Sequence, residues 1–149
     1  MPNQIVVAGA LISRASEATG EIFRASEATG ETSGGTLLVA QRERPPELAG
    51  LWELPGGKVA AGETDAAALV RELDEELGIE VTVGDRLGCD VALNGRMTLR
   101  AYLVTQIGGS LQPRDHRALR WVTADELQAL AWVPADRGWV PDLAAALRA

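Results

Sequence analysis

The stretch GKVAAGETDAAALVRELDEELGI, Gly57 to Ile79, decides how this chain is read. Thr64 to Leu77 is its best helix signal, and Gly78 follows where a C-cap glycine belongs. Unrolled at about 100° per residue, Ala66, Leu69, Val70, Leu73 and Leu77 share one arc, which predicts a core-facing stripe. Glu72, Glu75 and Glu76 share a second arc, centred roughly 120° away. Between residues 63 and 76 the acids Glu63, Asp65, Glu72, Asp74, Glu75 and Glu76 face the single base Arg71. Like charges three or four residues apart cost a helix roughly 0.2–0.5 kcal/mol per pair. Three carboxylates on one face are therefore a local conflict that a bound cation would relieve.

An acidic helix face taken alone is more often simply solvated. The preceding Pro55-Gly56-Gly57-Lys58 shifts the balance, because paired glycines let backbone approach a ligand closely. Carboxylates, a backbone carbonyl and water make an all-oxygen site suited to Mg²⁺ or Mn²⁺. The one histidine, His116, and the one cysteine, Cys89, lie far apart in sequence and argue against zinc.

Working outward, Gln4–Ser13 (QIVVAGALIS) reads as a strand buried on both faces, and Thr36–Arg42 (TLLVAQR) as a second. Between them Arg14-Ala-Ser-Glu-Ala-Thr-Gly-Glu21 recurs as Arg24 to Glu31. Two such copies are too few for a solenoid, and residues 14–35 are expected to form an enlarged hairpin loop. Arg44–Leu51 is a proline-containing loop. Strands are expected at 86–93 and 97–107, joined by the hairpin signal Asn94-Gly95. Ala118–Val122 reads as a short strand. Thr123 to Glu126 is a capping box, and Pro141 opens a last helix ending near Arg148. The mixture predicts an α+β or α/β layered fold, with residues 1–149 as a single domain.

The chain has 149 residues, enough for one core, and a formal charge of −7. That charge argues against a nucleic-acid polymer as partner but not against one nucleotide held through a metal. Cys89 has no disulfide partner and is expected to be a small buried hydrophobe, with a cytoplasmic setting. No apolar run reaches the roughly 20 residues of a membrane span. Monomer and homodimer are both compatible with the sequence.

Gly57, Glu63 and Arg71-Glu72-Leu73-Asp74-Glu75-Glu76-Leu77-Gly78-Ile79, at this spacing, resemble the Nudix box without a departure. The resemblance implies an α/β/α sandwich with a mixed β-sheet. It implies that Glu72, Glu75 and Glu76 hold catalytic divalent ions, helped by the Gly56 carbonyl. Arg71 and Glu63 would orient those carboxylates. Water would attack a phosphorus of a diphosphate bridge, with one glutamate taking its proton.

Leu37–Arg42, Leu48–Lys58 and Trp132–Asp136 resemble the MutT-type branch, in particular its CTP and dCTP pyrophosphohydrolases. Arg42 and Lys58 would then meet phosphate or base. Asp136 stands where the purine-oxidation branch carries Asn. An ionised aspartate only accepts, which suits the N4 amino group of cytosine or 5-methylcytosine. Trp132 or Trp139 could line the base pocket, although Trp52, Trp121, Trp132 and Trp139 are by type more often core. Asp115 and His116 lie where family members often place an extra acid or base near the metals. 8-Oxo-dGTP, ADP-ribose and dinucleotide polyphosphates stay open as substrates, as does a nucleotide sensor without turnover.

Overall fold

The computed structural model describes residues 3–14 and 34–149. The tandem repeat lies outside these residues apart from Arg14. Strand β1 (Gln4–Ser13) is central. Its early residues pair in parallel with β6 (Met97–Gly109), Val6 opposite Leu99 and Leu11 opposite Val104. Its other edge takes β4 (Gly56–Lys58) antiparallel, with Val7 opposite Gly57. Only Ile12 and Ser13 reach β2 (Thr36–Gln41), antiparallel, Ile12 opposite Leu37 and Ser13 opposite Thr36. Strand β2 also pairs with β3 (Trp52–Glu53) and β7 (Ala118–Val122), and β5 (Ile79–Leu93) pairs with β6. One parallel pairing among antiparallel ones makes the sheet mixed.

Strand periodicity divides the core. Val7 and Leu11 of β1 and Leu38 of β2 face helix α1 (Asp65–Leu77), where Leu69, Leu73 and Leu77 are buried. The intervening Ala8, Ala10, Leu37 and Val39 face the opposite layer. That layer holds α2 (Ala124–Leu127), α3 (Pro134–Arg137) and α4 (Val140–Arg148), with Leu143 and Leu147 buried. The result is an α/β/α sandwich, as the sequence implies. Burying each such leucine contributes about 1.5–3 kcal/mol. Gly9 lets α1 lie close, since a Cβ there would stand 3.2 Å from Leu73 Cδ1.

Helix α1 begins where its side chains dictate. The Thr64 hydroxyl accepts the Ala67 N–H at 3.0 Å, and Gly78 closes the helix in the left-handed region at φ 75°. The buried face differs from the expected stripe, however. Ala66 is exposed and Val70 is 37% exposed, while Ala68 is buried. The inward direction is rotated toward the acidic arc. Glu72 and Glu76 consequently sit half-buried against the sheet rather than in open solvent.

Strand β5 starts at Ile79, directly after the helix cap, seven residues before the expected start. The hairpin turn is as expected, with Asn94 and Gly95 both at positive φ. Glu126 reaches back to accept the Thr123 N–H at 2.8 Å, and Pro141 lies in the first turn of α4. Cys89 is exposed, contrary to expectation, because register shifts in β5 between Leu87 and Val91 turn it outward. No helix among the described residues is long and apolar enough to cross a membrane.

Candidate active site

The site forms where Gly56 and Gly57 of β4 meet the middle of α1. Gly57 lies beneath the Glu72 carboxyl, and a Cβ at Gly57 would fall on it. Gly56 is equally constrained, since its Cβ would run into the Val7 carbonyl of β1. The two glycines thus let β4 lie flat between β1 and the helix.

Arg71 organises the acids. Its Nε and Nη2 donate to the two oxygens of Glu63 at 2.7 and 2.9 Å. Nη1 donates to Glu72 at 3.0 Å and reaches Glu75 at 3.5 Å, while Nη2 also meets the Lys58 carbonyl at 3.1 Å. The Arg71 fork, followed by the Ala60 N–H, holds the Glu63 carboxyl down at about 2. Arg71 is itself raised by the same partners, Glu63 first. A planar guanidinium is suited to such two-sided bridging.

Glu76 is the reverse case. Its Oε1 is buried with no hydrogen-bond partner. Burial, then the nearby charges of Glu72 and Glu53, push its carboxyl up to about 9. An unpartnered buried carboxylate oxygen among other acids fits a hard divalent cation. Glu75 is mostly exposed and turned toward Arg71. Among the described residues no three His, Cys, Asp or Glu side chains stand in a ready coordinating arrangement.

The loop after β6 is tied to the end of α1. Gln112 N–H donates to Leu77 O at 2.8 Å, Arg114 N–H to Glu76 O at 3.0 Å, and the Arg114 side chain to Asp74 O at 3.1 Å. This brings Asp115 and His116 to the site. Asp115 pairs with Arg44 at 2.8 Å and contributes to the shift at Glu76. His116 places Nε2 2.9 Å from Glu53 Oε2.

Glu53, given no role in the sequence reading, is the junction. Its carboxylate accepts Arg42 Nη1 at 3.0 and 3.2 Å and faces His116. Its charge is felt by both Glu76 and Asp136. The available signal was an acid inside an apolar run, Leu51-Trp52-Glu53-Leu54-Pro55.

Asp136, in the short unexpected helix α3, is 3% exposed, the one charged side chain buried among the described residues. Its Oδ2 accepts the Leu54 N–H at 2.8 Å. Burial pushes its carboxyl up to about 7, opposed by that hydrogen bond. Lys58 is exposed on β4. Trp132 lies in the hydrophobic core. It is 3% exposed, donates its indole N–H to Leu127 O at 2.9 Å, and pairs its backbone with Trp52. Trp139 is likewise core, its indole N–H given to Cys89 O at 2.9 Å.

A family model described as NUDIX domain matches residues 27–143, and the chain belongs to this family, in its MutT-type branch. It is a hydrolase of phosphoric anhydride bonds. A Mycobacterium tuberculosis (strain H37Rv) protein named "Putative 8-oxo-dGTP diphosphatase 2" is 60% identical over 99% of this chain and 92% of its own length. The "CTP pyrophosphohydrolase" of Escherichia coli K12 is 44% identical over 68% of this chain and 77% of its own. The solution structure of the E. coli ORF135 protein superposes with a TM-score of 0.74 at 35% identity, covering 97% and 91% of the two chains.

Proposed function

We propose that this chain, read as one domain over residues 1–149, hydrolyses cytosine nucleoside triphosphates (CTP, dCTP or 5-methyl-CTP) to the monophosphate and pyrophosphate. The observation that carries the base assignment is Asp136. Its Oδ2 is fixed by Leu54, and no other donor among the described residues is bonded to its carboxyl. A carboxylate so placed suits an amino donor such as cytosine N4. The similarity to the E. coli CTP pyrophosphohydrolase points the same way.

Glu72, Glu75, Glu76 and the Gly56 carbonyl would hold Mg²⁺, or Mn²⁺ in its place. When bound, the ion supplies charge neutralisation at the phosphate oxygens and a more acidic water. Arg71 fixes Glu72 and is itself fixed by Glu63, so the Glu72 carboxylate is held in place before an ion arrives. Arg42 and Lys58 supply the cations for the phosphate chain.

A second reading is 8-oxo-dGTP hydrolysis. The M. tuberculosis relative, matched over nearly the whole chain, favours it. So does the Asp136 carboxyl at about 7, because its protonated form donates as well as accepts. Turnover of CTP, dCTP, 5-methyl-CTP, 8-oxo-dGTP and ADP-ribose with Mg²⁺ separates the readings. The cytosine assignment stands on a higher kcat/KM for a cytosine triphosphate than for 8-oxo-dGTP.

A further inference from the structure

His116, Glu53 and Arg42 form one chain of contacts. Arg42 is pinned on two sides. Its Nε donates to the Arg44 carbonyl at 2.9 Å, and its Nη1 to both Glu53 oxygens. Its Nη2 has no acceptor among the described residues. Glu53 is held in turn by His116, whose side chain is only 6% exposed. His116 is anchored by its neighbour, because the Arg117 N–H donates to the Gln41 carbonyl at the end of β2, beside Arg42.

We propose that Glu53, braced by His116, is a positioning residue that fixes the Arg42 guanidinium with its Nη2 edge left for the phosphate chain of the substrate. A guanidinium oriented before binding loses less freedom when it takes up a phosphate oxygen. This rests on the reading of Arg42 as a substrate contact. It makes Glu53 a residue that acts through Arg42 rather than on the reacting atoms.

The test is a double-mutant cycle of Glu53→Gln and Arg42→Ala, with His116→Ala and Glu53→Asp alongside. Kinetics are measured on whichever phosphoanhydride the wild type turns over, with Mg²⁺ titrated and Tm recorded. Loss of a charge-assisted hydrogen bond predicts that Glu53→Gln and His116→Ala each raise KM about 10-fold, with kcat within about 3-fold. The Mg²⁺ concentration for half-maximal rate stays put, and Glu53→Asp recovers part of KM. In the Arg42→Ala background, Glu53→Gln adds no further KM effect. The proposal is overturned if the two KM effects multiply, if kcat falls instead of KM rising, or if only Tm changes. A wrong substrate reading shows separately, in which compound the wild type hydrolyses.

Discussion

The Glu72 carboxylate lies directly over the bare Cα of Gly57. This contact joins the strand to the helix and fixes where the acidic face begins. Replacing Gly57 with Ala puts a methyl where the carboxyl stands. Displacing a reacting group by about 1 Å can cost about 10²-fold in rate. Gly57→Ala is expected to lower kcat/KM by about that factor while keeping a folded circular-dichroism spectrum. Near-normal turnover would separate Glu72 from the reaction.

Glu76 predicts a pH effect. A carboxyl raised from 4.5 to about 9 favours the protonated folded state. The penalty is absent below pH 4.5, where folded and unfolded chains are both protonated, and grows as pH rises toward 9. Without divalent ions, Tm should therefore fall across this window. Glu76→Gln removes the titration and should raise Tm at pH 8 by about 4 °C or more, while abolishing Mg²⁺-dependent turnover. A flat metal-free Tm profile in the wild type would contradict the buried-acid account.

Arg71 serves Glu63, Glu72 and Lys58 together. A lysine cannot span them. Arg71→Lys is expected to lower kcat/KM by about 10–100-fold, the usual range for residues supporting a metal site. The Glu63 carboxyl should rise from about 2 toward its ordinary 4.5, as followed by NMR titration. An unmoved Glu63 would show that the fork is not what holds it.

Trp132 packs, with its indole N–H on Leu127 O. Trp132→Phe should cost about 1 kcal/mol, seen as a Tm loss of about 2–4 °C, with KM for CTP unchanged. A 10-fold KM rise at constant Tm would place it at the base pocket instead.

What the sequence made legible was governed by local chemistry. Thr64, Gly78, Asn94-Gly95 and the Thr123–Glu126 pair each act within a few residues, and each lies where expected. Strands β3 and β4 were not legible, because two or three residues containing Glu or Gly become strands only through partners such as Val7 and Ala40. The start of β5 was available in the alternation Ile79-Glu-Val-Thr-Val83, hidden by its abutting the helix. Helical spacing placed the acids on one face, but only packing set how deep they lie: Ala68 replaced Ala66 and Val70 inside. Glu53 was hidden because its partners Arg42 and His116 are 11 and 63 residues away.

The most direct measurement is the ratio of kcat/KM for dCTP to that for 8-oxo-dGTP, in the wild type and in Asp136→Asn, at pH 6 and pH 8.5. With its carboxyl near 7, Asp136 ionises between these values, so the wild-type ratio should exceed one and rise with pH. Asp136→Asn should lower the ratio and flatten its pH dependence. A wild-type ratio below one, or a ratio and pH profile unchanged by the substitution, contradicts base selection by Asp136.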